Sequence, residues 1–370
     1  MKPYYDDGQV TLYHGDCIET MRSLEPESVD AIVTDPPYGL GFMGRAWDAV
    51  PPGEEWAREC LRVLKPGGHM VAFGGTRMWH RLVVAVEDAG FEIRDSIAWL
   101  YGQGMPKSPN VGRLIEERYG SGGDEWKGFS AQLRPAFEPI VVARKSLVGG
   151  LAVNVVTHRT GAFHIDAARF GGPSTSHALR EAAREAAMRG RKWGKDGIAS
   201  SAASAAHWAE NQSDKLGRWP ANAVLDESQA EALDSQAGVC NSGYGDTGYA
   251  SRFFPVFRYE PKAARSERPV VGGVQHPTVK PLTLMRWLAR LITPPGGTIL
   301  EPFAGSGTTV EAAMLEGFGV IGIELTEEYL PLICARIERA KMGRPAQDEA
   351  REMEAATMPP PLFDMLGEAS

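Results

Sequence analysis

VDAIVTDPPY, residues 29–38, decides how this chain is read. Its first half is an apolar run of strand length and reads as a buried strand. Two consecutive prolines end it. Neither can donate to a β-ladder, and both hold φ near about −65°, so the exit from the strand is stiff. A carboxylate (Asp35), the carbonyl between the prolines and an aromatic ring (Tyr38) are thereby held in a fixed array. If the strand belongs to an open α/β sheet, that array lies at the carboxyl edge, where such sheets bind ligands.

The flanking sequence predicts such a sheet. Before the motif, VTLYHGD (10–16) reads as a strand and CIETMRSL as a helix. After it, EEWARECLRVL (54–64) has helical spacing and stops at KPGG. HMVAFGG (69–75) reads as a strand, MWHRLVVAVEDAG (78–90) as an amphipathic helix and FEIRDSIAWL as a strand. The rhythm returns near the C-terminus: helix 281–292, TPPGG, the strand TILE, a Gly-rich turn, helix TTVEAAMLEG, strand FGVIGIEL and a last helix EEYLPLICARIERAKM. Strands alternating with helices predict a mainly parallel α/β sheet. KPGG-strand-FGG and PPGG-strand-FAG are similar enough to predict two adjacent strands of one sheet. Residues 108–270 lose the rhythm, apart from a helix expected at about 176–189.

Composition sets outer limits. The 370 residues are 43% hydrophobic and 23% charged, with a formal charge of −8, which argues against a purely electrostatic nucleic-acid binder but leaves room for a local basic face. Cys17, Cys60, Cys240 and Cys334 are scattered without CxxC, so neither a disulfide framework nor a metal site is expected. No apolar run reaches the roughly 18 residues of a membrane helix, and the first residues carry no signal-peptide core. The expectation is a soluble cytoplasmic protein with no membrane partner.

An acceptor side chain, an acceptor carbonyl and an aromatic face suit a planar group bearing NH2. The exocyclic amine of a nucleobase is a poor nucleophile because its lone pair is delocalised into the ring. Two acceptors can draw the nitrogen toward tetrahedral geometry and localise that pair, so that an electrophile placed opposite is attacked directly. A lone DPPY also reads as a strand-terminal turn with a capped acid. The second motif, EPFAGSGTT (301–309), runs from strand through Gly305-Ser306-Gly307 into a helix and fits close approach of a nucleotide-type ligand to the backbone. It is neither GxGxxG nor GxxxxGK[ST], which weakens dinucleotide and NTP readings. Glu324, ending the next strand, is placed to accept two ribose hydroxyls, or is simply a surface acid.

In this order, DPPY, HPTVKP (276–281), EPFAGSGTT and IGIEL (321–325) resemble the S-adenosylmethionine-dependent amino-methyltransferases of DNA. The order, with the catalytic motif before the cofactor loop and a long variable region between, resembles their β group, with phage- and prophage-borne members echoed in FEPIVVARK and GRWPAN. The resemblance covers roughly 10–105 and 270–340. It implies a Rossmann-like methyltransferase fold with a mainly parallel twisted sheet and an inserted variable target-recognition region. The chain then divides into a catalytic half (1–107), the insert (108–270), a cofactor half (271–342) and a disordered acidic tail (343–370).

The resemblance also implies roles. Asp35, Pro36, Pro37 and Tyr38 would hold a base flipped out of double-stranded DNA. Phe303, Ala304, Gly305, Ser306, Gly307 and Thr308 would line the methionine side of S-adenosylmethionine. Glu324 would take the ribose, and Asp16, beside Cys17 in HGDC, would approach the adenine. Thr278 and Lys280 would close over the cofactor's amino-acid end, although Lys280 also reads as a surface lysine starting a helix. Glu301 departs from the family, which often has Asp there. No metal and no cysteine nucleophile is implied, since none of the four cysteines follows a proline. The aspartate of DPPY favours adenine N6, with cytosine N4 the nearest alternative. A silent DNA-binding protein and an RNA or protein-amide methyltransferase are the more distant ones.

Three further segments carry open readings. GLGFMGRAWD (39–48) is either a surface lid with anchoring aromatics or an element that folds over the flipped base or wedges into the gap it leaves, RGRKWGK (189–195) either a solvated loop or a phosphate contact with a stacking Trp193. Leu362-Phe363, in the tail, faintly resembles the peptides that dock on the bacterial sliding clamp. A homodimer is a weak expectation from the β group.

Overall fold

The computed structural model describes residues 1–41, 48, 51–102, 104, 110–170, 218–241, 247–257 and 269–343. The helix expected at 176–189, RGRKWGK, Phe42, Met43, Trp47 and Leu362-Phe363 lie outside them.

The first segment folds as strands β1 (Tyr5–Asp6), β2 (Val10–His14) and β3 (Val29–Thr34), with helix α1 (Cys17–Arg22) between the last two. Helix α2 (Glu54–Val63), β4 (Leu64–Phe73), α3 (Trp79–Asp88) and β5 (Glu92–Leu100) follow. The middle contributes α4 (Val111–Tyr119), β6 (Phe137–Arg144), α5 (Leu151–His158), β7 (Ala223–Asp226), α6 (Glu227–Ala237), a small pair β8 (Val239–Asn241) and β9 (Thr247–Tyr249), and β10 (Val256–Phe257). The last segment is α7 (Leu282–Ile292), β11 (Thr298–Glu301), α8 (Thr308–Leu315), β12 (Gly319–Glu324) and α9 (Leu330–Met342).

Ten of these strands form one sheet in the order β1-β2-β12-β11-β3-β4-β6-β5-β7-β10. The pairs from β2 to β4 are parallel, as are β5 with β7 and β7 with β10; β1 and β6 run antiparallel to their neighbours. The two rhythmic segments of the sequence therefore share one sheet, and β3 and β11 are hydrogen-bonded neighbours (Ile299 opposite Ala31, Leu300 opposite Ile32). Both faces are covered, as a parallel sheet requires. Along β3, Ala31 and Val33 pack into the core under α7, α8 and α9, while Ile32 packs into the one under α1, α2 and α3.

The structure differs from the expectation at three places. The Gly-rich exits of β4 and β11 are not on adjacent strands: they flank β3 on either side. KPGG does not separate α2 from the next strand. The chain turns directly from Val63 into β4, with Gly67 at φ 76° and a register irregularity against β3 between Val29 and Ala31. Residues 108–270, expected as an insert, also contribute strands to the sheet. The β6 strand sits between β4 and β5, and β7 and β10 extend the edge beyond β5. Local pattern could not show this, because β6 pairs with strands lying dozens of residues earlier.

Candidate active site

The tetrad leaves β3 at its carboxyl end, between the ends of β11 and β4. Pro36 is buried and Asp35, Pro37 and Tyr38 are half-buried. Two features hold the turn. Gly75, just beyond β4, packs against Tyr38 so closely that a Cβ there would stand 3.0 Å from Cδ2 of the ring. Asp48, 3% exposed, gathers the backbone that follows. Its Oδ1 accepts from the N–H groups of Tyr38 (2.7 Å) and Gly39 (3.0 Å), and its Oδ2 from that of Leu40 (3.3 Å). Gly39 sits at φ 68°, where a side chain would be strained.

A compact charge cluster surrounds the tetrad. Lys280 Nζ donates to Asp35 Oδ2 at 2.5 Å and to the Tyr38 hydroxyl at 3.2 Å, and lies 3.4 Å from Glu138 Oε2. The Tyr38 hydroxyl lies 3.0 Å from Asp35 Oδ1 and 3.0 Å from Glu138 Oε2. The ammonium also stands over the Phe73 ring, 4.7 Å from its centroid. Burial lowers the Lys280 pKa, but the Asp35 and Glu138 carboxylates outweigh it and raise the value above that of an ordinary lysine. Burial and the same two acids push the Tyr38 phenol well up, so it keeps its proton. Lys280 thus sits on the DPPY tetrad and is not a surface lysine.

The cofactor-side residues meet at the carboxyl ends of β11, β12 and β2. Glu324, 7% exposed, accepts the Gly305 N–H (2.7 Å) with one oxygen and the Thr326 N–H (2.8 Å) with the other. Burial raises its pKa, partly offset by those two backbone donors. Ala304 donates its N–H to the Ile323 carbonyl at 2.8 Å, and Ser306 and Thr308 pair through their hydroxyls at 3.0 Å. Gly305 and Gly307 adopt φ 51° and 81°, and a Cβ on Gly307 would stand 3.0 Å from the Ile333 Cα. Phe303 packs near Trp56, with centroids 5.8 Å apart. Asp16 caps α1, accepting from the N–H groups of Ile18 (2.9 Å) and Glu19 (3.0 Å). The Cys17 thiol beside it is pushed up to about 12 by burial and by Asp16, so it is no nucleophile at neutral pH. Thr278 contributes its carbonyl to His276 Nδ1 at 2.5 Å, and the His276 ring lies against Gly305, where a Cβ would be 3.2 Å from Nε2. HPTVKP thereby covers the FAGSG loop with His276 while Lys280 reaches the tetrad.

These donors fit S-adenosylmethionine. Glu324 ends β12, Asp16 follows β2, and a glycine turn precedes α8, so two acceptor carboxylates and close backbone stand together, a set compatible with that molecule. Two site residues escaped the sequence reading. Glu138 was visible only as part of FEPIVVARK, and Asp48 only as the acid closing GLGFMGRAWD. An acid ten residues beyond Tyr38 is a faint signal for a clamp. Among the described residues no cluster of metal-ligating side chains occurs and no helix is long and apolar enough to cross a membrane.

The sequence profile of a family described as "DNA methylase" matches residues 29–335. Among curated proteins, the chain is 24% identical over 360 residues to the Type II methyltransferase M.HindIII of Haemophilus influenzae, covering 85% of this chain and 90% of that protein. It is 24% identical over 340 residues to the Type II methyltransferase M.ScaI of Streptomyces caespitosus, covering 91% and 84% respectively. Among solved structures, the M1.HpyAVI-SAM complex aligns with a TM-score of 0.43 at 20% identity, covering 89% of this chain and 98% of that one.

Proposed function

The chain belongs to the S-adenosylmethionine-dependent N6/N4 DNA methylase family, and from that premise we propose that its target is the exocyclic N6 of an adenine flipped out of duplex DNA. The observation that carries this is the tetrad itself, with Asp35 and Tyr38 fixed on the end of β3 beside the FAGSG loop that leaves β11. Base readout is assigned to side chains of 108–270, and the reaction to the cytoplasm.

Bound S-adenosylmethionine supplies an electrophilic methyl group on a sulfonium. Everything else is done by the chain. The Asp35 carboxylate and the Pro36 carbonyl accept the two N–H bonds of the amine and localise its lone pair toward the methyl. The Tyr38 ring, wedged against Gly75, is the stacking surface for the base. Lys280 supplies the counter-charge that lets the acids share so small a space. Glu324 and Asp16 orient the donor, so proximity and alignment lower the barrier. Neither a covalent enzyme intermediate nor a metal enters.

The test is nucleoside mass spectrometry after incubating the protein with labelled S-adenosylmethionine and unmethylated duplex DNA. Labelled N6-methyladenine supports the reading. Labelled N4-methylcytosine keeps the mechanism and overturns the base. Asp35→Ala is expected to abolish transfer while cofactor still binds; full activity in that variant would remove the tetrad from the mechanism.

A further inference from the structure

Methylation of an amine leaves a proton to be disposed of, and the tetrad has an acid beside it that the mechanism above does not use. On the reading that the chain is an amino-methyltransferase, we propose that Glu138 is the end of a proton outlet running from Asp35 across the Tyr38 hydroxyl.

The geometry is that of a relay. The Tyr38 phenol carries one O–H, yet its oxygen is 3.0 Å from an oxygen of Asp35 and 3.0 Å from an oxygen of Glu138. It can donate to either acid, and can accept from one of them once that one carries a proton. The second oxygen of Asp35 is held by Lys280 at 2.5 Å, and an ammonium cannot accept a proton. Tyr38 is therefore the group in this cluster through which a proton gained by Asp35 moves on. Glu138 suits the far end: its side chain is 23% exposed, and although that of Asp35 is 25% exposed in the free protein, the amine bound to Asp35 on the reading above takes up its open side. A purely structural ion pair for Lys280 would not need it, because Asp35 at 2.5 Å already serves better than Glu138 at 3.4 Å.

Charge gives a second reason. With Lys280 and Asp35 alone the cluster is neutral, and with Glu138 it carries one net negative charge. Only the second arrangement favours the positive charge that develops on the substrate nitrogen. The placement follows from topology. Because β6 is antiparallel to β4 and β5, its N-terminal end, with Glu138, comes to the edge where the parallel strands end.

The step balances as follows. The amine lone pair forms the N–C bond, and the C–S pair returns to sulfur. In the same step one N–H bond breaks, leaving its electrons on nitrogen, and the proton passes to Asp35, so the rate of methyl transfer depends on Asp35 giving that proton up. Asp35 passes a proton to the Tyr38 oxygen as Tyr38 passes its own to Glu138, which releases it to water.

Glu138→Gln keeps the size and a hydrogen-bonding oxygen but removes the charge and the basicity. In single-turnover methylation of duplex DNA its rate should fall about 100-fold, with KM for DNA and for S-adenosylmethionine, and the melting temperature, close to wild type. In a Tyr38→Phe background the same change should cost nothing further, because the relay is already cut. A Glu138→Gln variant as fast as wild type, a loss confined to KM, or a full further loss on top of Tyr38→Phe would each overturn the outlet. If the wild-type protein transfers no methyl group to DNA, the functional reading fails and takes the outlet with it; a methylating wild type with an unaffected Glu138→Gln sinks the outlet alone.

Discussion

Glu301 sits at the seam between β11 and β3, where Thr34 Oγ1 donates to it at 2.6 Å, Thr309 Oγ1 at 2.5 Å and the Phe303 N–H at 3.0 Å. It is 1% exposed. Burial raises its pKa to about 8, against the pull of those three donors and with a small push from Asp35. The folded state thus holds a proton that the unfolded chain releases at the ordinary glutamate value. Stability conferred by the bound proton is present in full below the unfolded pKa and is lost as pH climbs toward about 8. Glu301→Gln cannot ionise. Its stability relative to wild type should rise by roughly 1.4 kcal/mol per pH unit across that window, measured by denaturant unfolding at several pH values. Parallel curves for the two proteins would mean that Glu301 is charged in the fold. As a residue, Glu301 was legible only as a departure from the family's aspartate. Its protonation depends on how deeply the seam is buried, which no neighbour in sequence reveals.

At the scale of elements, the turn after β3 is held from outside itself. Asp48 converts Tyr38, Gly39 and Leu40 from a free turn into one with three N–H groups tied to a single carboxylate. Asp48→Ala leaves those donors without their acceptor, at a cost of about 1–3 kcal/mol. The tetrad should then loosen: methyl transfer is expected to fall at least tenfold while S-adenosylmethionine binding, measured by calorimetry, stays near wild type. Wild-type transfer with an unchanged melting temperature would show that the prolines alone stiffen the turn. Helices and strands of the two rhythmic segments were legible because their boundaries are local: N-caps such as Asp16, stops at proline and glycine, and apolar spacing. The strand β6 was not placed by such signals. FEPIVVARK stood out only as an echo of phage-borne members, and nothing in it says which strands it joins or in which direction.

At the scale of the molecule, the halves are interleaved and not strung together. Helix α7 holds two stretches at once. Trp287, 2% exposed, donates from Nε1 to the Ala168 carbonyl at 2.8 Å and packs on Phe257 of β10 at 5.6 Å between centroids. Arg290 donates to the Ala167 carbonyl at 3.0 Å, and Leu291 accepts the His164 N–H at 2.8 Å. Trp287→Ala should cost about 3–5 kcal/mol and lower the whole of a single cooperative transition, followed by calorimetry and tryptophan fluorescence together. Two transitions, only one of them shifted, would show instead that the segments before and after the variable region unfold independently.

Sequence alone determined the α/β class, the strand that carries the tetrad, the glycine turn that leaves β11 and the carboxylates that follow β2 and end β12. Each is written in a short window, as spacing or as a proline or glycine that leaves the backbone few choices. Tertiary structure alone decided that Lys280 meets Tyr38 across 242 residues of chain and that Glu138 meets it across 100. Those meetings depend on β11 pairing with β3 and on the reversed course of β6. Strand order and direction are set by how the whole sheet buries its two faces, a quantity to which every element contributes and which no single window contains.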